Sequence, residues 1–140
     1  VDVRELCDRQ EIIDLITRYT LSVDTKSYAD LFDVFTPDAV MDYSMVGGPK
    51  GPPDEVVPWI EQGLAGFDRF QHVIGQIAIQ LDGDSASATA YFTNPMVSVA
   101  PDGTERLLEV GGFYHHDLVR TPIGWRSRGI IDDMVWHRGF

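Results

Sequence analysis

A single cysteine, Cys7, stands in a chain of 140 residues. One thiol makes neither an internal disulfide nor a thiolate metal cluster, so the fold must rest on its core. No apolar run approaches the roughly 18–20 residues of a membrane helix, because charge or glycine interrupts each one. Basic residues are also scarce: 11 against 22 acidic, a formal net charge of −11. Nucleic-acid backbones and anionic membranes need a basic face, so neither is expected as a partner. The opening residues Val1-Asp2-Val3-Arg4-Glu5-Leu6 carry charge where a secretory leader has its apolar stretch. These absences point to a cytoplasmic protein.

Several catalytic signatures are missing too. There is no Gly-x-Gly-x-x-Gly, no Walker loop and no Gly-x-Ser-x-Gly elbow. Gly47-Gly48-Pro49-Lys50-Gly51 lacks the donors of a phosphate cradle, because proline has no N–H and no Ser or Thr follows the lysine. It reads as a connector or a substrate-side loop. His115 and His116 are strand neighbours whose side chains leave on opposite faces, so they cannot chelate one ion, and Asp132-Asp133 fails for the same reason. No metal and no cofactor are expected.

What is present is a globular composition, 44% apolar and 24% charged, which excludes disorder and suits one domain over 1–140. Leu6, Ile12, Ile13, Ile16, Tyr19 and Val23 recur at helical spacings behind Asp2, predicting a capped amphipathic helix from Val3 to about Val23. Ser27 and Asp30 suggest a capping box for a short second helix carrying Leu31, Phe32 and Phe35, stopped by Pro37. A strand over 39–45 follows. A third helix over 54–64 then requires Pro58 to fall near its first turn.

Beyond Phe70, the turns Asp82-Gly83-Asp84, Pro101-Asp102-Gly103 and Pro122-Ile123-Gly124 separate strands over about 71–81, 85–99, 106–120 and 125–136. Short connections imply an antiparallel meander. Pro95 and Gly111-Gly112 sit where such long strands would bend. The expected fold is therefore α+β, with three helices packed on a strongly curved antiparallel sheet and enclosing a pocket. The convex side would carry Tyr91, Val97 and Val99, and covering them suggests a homo-oligomer, dimer or trimer.

Acid–base chemistry needs a titratable group in a sheltered cavity and a second group to tune it. Asp24 ends the first helix, where the macrodipole disfavours a carboxylate, and would want a donor partner. His72, amid Phe70-Gln71-His72-Val73-Ile74, could be that partner if it faces the concave side. Equally, Asp24 reads as a turn residue or cap, and His72 as a hydrogen-bonded filler. Tyr19 and Tyr43 could polarise a carbonyl or serve as core. Trp59, Phe92, Met96, Phe113 and Trp136 read as cavity wall or core. Asn94 is the polar exception, placed to orient a ligand or to bond at the Pro95 bend.

Taken together, Ile12-Ile13-Asp14-Leu15-Ile16-x-x-Tyr19-x-x-x-x-Asp24, Leu31-Phe32-x-x-Phe35-Thr36-Pro37-Asp38-Ala39, Lys50-Gly51-Pro52, His72, the Asp82-Gly83-Asp84-x-Ala86 hairpin, Gly112-x-Tyr114, and Val119-Arg120-Thr121-x-x-Gly124-Trp125-Arg126 resemble the SnoaL-like branch of the nuclear-transport-factor-2-like superfamily. That resemblance covers nearly the whole chain and implies a cone-shaped α+β barrel. It leaves function open, since the scaffold hosts dehydratases, cyclases, isomerases, epoxide hydrolases and non-catalytic subunits.

Asp24 and His72 match the Asp–His pair of scytalone dehydratase, hexachlorocyclohexane dehydrochlorinase and the bile-acid 7α-dehydratases. Tyr19 matches a tyrosine of the bile-acid enzymes, and Tyr43 one of scytalone dehydratase. The resemblance thus implies His72 as general base, Asp24 as its orienting carboxylate, and the two tyrosines as hydroxyl donors. Met96 replaces a second pocket histidine, Val23 replaces a tyrosine, and the pocket serine and asparagine of scytalone dehydratase are replaced near Gly112 and Tyr114. With Trp59, Phe92, Asn94, Met96, Tyr114 and Trp136 as substrate contacts, the expected ligand is a cyclic, mostly apolar molecule such as a steroid or polyketide. The expected activity is a cofactor-independent, dehydratase-like lyase. A non-catalytic small-molecule binding module, or a cyclase or isomerase using the same pocket, is the alternative.

Overall fold

Apolar side chains at helical spacing fold Val3–Asp24 into helix α1. In the computed structural model, which describes all residues Val1–Phe140, the Asp2 side chain caps it by accepting from the Glu5 N–H at 2.8 Å. Ile12, Leu15, Ile16, Tyr19 and Val23 form the buried stripe, each at most 2% exposed. Leu6 is exposed instead of lying on that stripe. It stands six residues from Ile12, out of phase with a 3.6-residue turn. Asp8 takes the buried place, held by both terminal nitrogens of Arg120 at 2.8 Å and by the Trp125 indole N–H at 3.1 Å.

The second helix is a 3₁₀ helix, Tyr28–Asp33, that buries Leu31 fully, and Ser27 makes no side-chain cap. Phe35, expected on that helix, instead opens strand β1, Phe35–Asp42. Pro37 does not break this strand because it falls in an irregular stretch, where the pairing shifts between Phe35 and Val40. Strand β2, Lys50–Gly51, pairs with β1 and leads into helix α2, Pro53–Leu64. Pro58 lies in the helix interior rather than its first turn. Its position and that of Asp54, whose carbonyl loses the bond, are both exposed, so water can take up that carbonyl.

Strands β3 (Arg69–Phe70), β4 (Val73–Asp82), β5 (Ser85–Val99), β6 (Glu105–Thr121) and β7 (Gly124–Arg138) complete the sheet. Its order is β2-β1-β7-β6-β5-β3, with β4 sharing the β3 edge of β5. Strands β4 to β7 form the expected antiparallel meander. Strand β1 joins β7 in parallel, a pairing between distant parts of the chain that no turn announces. The sheet is curved and not closed, and the three helices cover its concave face.

The bends arise at bulges. One lies between Gly111 and Gly112, where the opposing strand gains Val135. A Cβ on Gly112 would sit 2.1 Å from the Asp133 carbonyl oxygen, so this bulge requires glycine. Pro95 leaves the β5–β6 register intact, but beside it the other edge passes from β4 to β3. No helix is long and apolar enough to cross a membrane.

Candidate active site

Three elements bring the first pair together. Helix α1 ends at Asp24, and the short break between β3 and β4 presents His72. The Asp24 carboxylate grips that residue twice: Oδ2 accepts from the His72 backbone N–H at 2.8 Å, and Oδ1 lies 2.7 Å from Nδ1. The His72 side chain is 7% exposed and that of Asp24 19%. A carboxylate only accepts, so Nδ1 is the donor and the neutral ring carries its lone pair on Nε2. The sheet register also places His72 opposite Asn94, between the pairs Phe70–Met96 and Val73–Thr93.

His72 lines a cavity of about 220 Å³ between the helices and the sheet. Of the expected site residues, Tyr19, Tyr43, Trp59, Phe92, Asn94, Met96 and Tyr114 line it as well. Asp24 stands behind His72. The Tyr19 and Tyr43 hydroxyls are hydrogen-bonded to each other, and Tyr114 stacks on Phe92 with its ring 5.4 Å from that of Tyr19. Burial raises the pKa of all three phenols above 10, so they stay protonated and act as donors. Gly48 seats Trp59: a Cβ there would stand 2.5 Å from the indole, so the glycine-rich loop serves the cavity wall.

Trp136 does not line the cavity. The extra residue Val135 reverses the alternation of β7, so Met134 faces Gly112 while Trp136 covers Gly111 on the convex side. Phe113 lies on that side too, 4.8 Å from Tyr91 between ring centres. His115 also points outward, bonded to Thr89 at 3.0 Å and Asp133 at 2.9 Å. His116 points inward to the Ser127 hydroxyl at 2.9 Å, and burial lowers its pKa to about 4. No group of three or more His, Cys, Asp or Glu is arranged to hold a metal.

One ionisable lining residue escaped sequence reasoning, which weighed Asp132 only as half of a metal pair, and so did the apolar lining residues Val46, Ile60, Leu64, Phe67, Val110 and Phe140. Asp132 is 7% exposed, and burial, helped by the charge of Asp133, raises its pKa to about 7. Its Oδ1 has no hydrogen-bond partner, nor has Oδ1 of Asn94. The signal was an acid between Ile130 and Met134 on the buried parity of a strand. Beyond the tyrosine hydroxyls and the Trp59 indole, the cavity's polar side chains are thus His72, Asn94 and Asp132.

An α1 helix ending on an acid that holds a cavity histidine, a curved sheet and a pocket walled by aromatic residues define a SnoaL-like domain, whose family model matches residues 4–129. The chain belongs to that family. It is 38% identical over 126 residues to the uncharacterized protein Rv2910c of Mycobacterium tuberculosis H37Rv, covering 90% of this chain and 84% of that one. A structure from Novosphingobium aromaticivorans, provisionally named an aromatic ring hydroxylase, superposes with a TM-score of 0.84 at 29% identity, over 96% of this chain and 94% of the other. Hexachlorocyclohexane dehydrochlorinase LinA type 2 gives 0.86 at 15% identity, over 100% and 93%, a likeness of fold alone. These names span different chemistries, so function must be argued from the site.

Proposed function

We propose that the protein is a cofactor-independent lyase that removes the elements of a small molecule from a cyclic, mostly apolar ketone. The observation that carries this reading is the double grip of Asp24 on His72 at the wall of an apolar cavity. Nε2 of His72 takes a proton from the carbon beside the carbonyl, and Asp24 stabilises the imidazolium that forms. Of the bonded phenols Tyr19 and Tyr43, the one that accepts keeps its own O–H free for the carbonyl oxygen as it gains charge. A cavity of about 220 Å³ lies below the roughly 300–1,000 Å³ usual for drug-sized ligands, which favours one or two rings over the four of a steroid.

Turnover of 3-hydroxycyclohexanone, followed by the ultraviolet absorbance of the enone formed, tests the proposal with wild type and His72→Ala. A positioned base contributes roughly 10²–10⁴-fold, so the variant should be slower by that factor. Equal rates would end the reading. Ring closure or isomerisation would use the same groups and is separated from elimination by identifying the product.

A further inference from the structure

We propose that Asp132 is the proton donor of this site, delivering a proton to the oxygen that leaves the substrate while His72 takes one from carbon. The proposal rests on the lyase reading above and sharpens its substrate class: the group lost is water from a ring hydroxyl, rather than a halide or another stable anion.

The geometry carries it. Asp132 is more than nine-tenths buried, lines the same cavity as His72, and leaves Oδ1 without a partner in the folded chain. A buried carboxyl oxygen without a bond is costly unless a ligand completes it. The titratable groups that share the cavity with it are the phenols of Tyr19, Tyr43 and Tyr114 and the His72 ring backed by Asp24, and on its own face and strand stand His116, held neutral by burial, and its neighbour Asp133. None is an arginine or lysine that would hold Asp132 ionised. Desolvation therefore keeps the proton on it up to about neutral pH, as a general acid needs.

Its place in the sheet suits the role. Asp132 pairs with Tyr114 on β6, whereas His72 sits at the far edge of β5. Three strand spacings across the sheet and four residues along β5, from Ala90 in line with Asp132 to Asn94 opposite His72, separate them. Both residues line the same cavity from different parts of the sheet, so one bound molecule can meet acid and base at different points. The step balances: the C–H electron pair becomes the new C=C bond, the C–O pair departs with oxygen, and that oxygen takes the Asp132 proton to become water. His72 is left as imidazolium and Asp132 as carboxylate. One proton passing from the first to the second through solvent restores the site.

Two substrates separate this role from a structural one: 3-hydroxycyclohexanone, whose hydroxide must be protonated to leave, and 3-acetoxycyclohexanone, whose acetate need not be. Asp132→Asn should lower kcat on the alcohol by roughly 10²–10⁴-fold, abolish the fall in rate above about pH 7, and change kcat on the ester by only a few-fold. Equal losses on both would overturn the proposal. His72→Ala should lose both substrates; if it loses neither, the lyase reading fails, independently of Asp132. Independently of turnover, ¹³C NMR of the wild-type carboxyl groups, assigned against Asp132→Asn, should show one titrating near 7, and an ordinary midpoint near 4 would overturn the role.

Discussion

Replacing Asp132 by Asn should make the protein more stable at neutral pH than it is in its native form. The wild-type carboxyl binds its proton up to about pH 7 when folded but only to about 3.8 when unfolded. Between those values the folded state holds more protons than the unfolded one, so the stability this group contributes is full below about pH 4 and lost as pH rises towards 7. At 1.36 kcal/mol per pH decade the loss approaches about 4 kcal/mol, and water entering the cavity lowers it to about 2–4. Asn fills nearly the same space and never ionises. Urea unfolding of both proteins from pH 4 to 8.5 isolates the effect as a difference, because every other group is shared. The gap should grow from near zero at pH 4 to about 2–4 kcal/mol in favour of the variant at pH 8. A gap that stays flat would show that Asp132 ionises normally and would refute the reasoning.

His116 works in the other direction. Its folded pKa of about 4 lies below the ordinary 6.5, so stability is lost as pH falls through that interval, by up to about 3 kcal/mol. His116→Gln should remove this part of the acid sensitivity in urea midpoints between pH 7 and 4.5, and an unchanged difference would contradict the burial argument. Asp8→Ala leaves Arg120 only its bond to Asp84 and strands the Trp125 indole, and should cost about 1–3 kcal/mol in thermal unfolding; a loss below 0.5 kcal/mol, the scale of an ordinary surface substitution, would mean the cluster is a surface ion pair. Gly48→Ala places a methyl against Trp59 and should shift its fluorescence and weaken binding of cyclic ketones while the global fold survives. An unaltered emission spectrum would show that the loop yields instead.

Much of this arrangement was legible in the residues. Helix α1 was readable to within one residue at its end because its apolar period and its cap agree. The meander was readable because three turn signals punctuate it. The β1–β7 pairing was not, since it joins segments some ninety residues apart with only general hydrophobicity to guide them. Asp24 and His72 were identifiable as candidates, but their contact needed the fold, because they stand 48 positions apart in the chain. Trp136 was misplaced for a local reason: one bulged residue, Val135, inverts the alternation on which strand reading depends. Asp132 had the right parity for the interior, and its acidity drew attention to metals instead of to burial.

The central claim is that His72, oriented by Asp24, removes a proton from carbon inside the cavity. Exchange of the protons beside the carbonyl of plain cyclohexanone in deuterium oxide, followed by proton NMR, isolates that step because nothing can leave. Wild type and Asp132→Asn should both accelerate the exchange, and His72→Ala should return it to the uncatalysed rate. Exchange as fast in His72→Ala as in wild type would contradict the account.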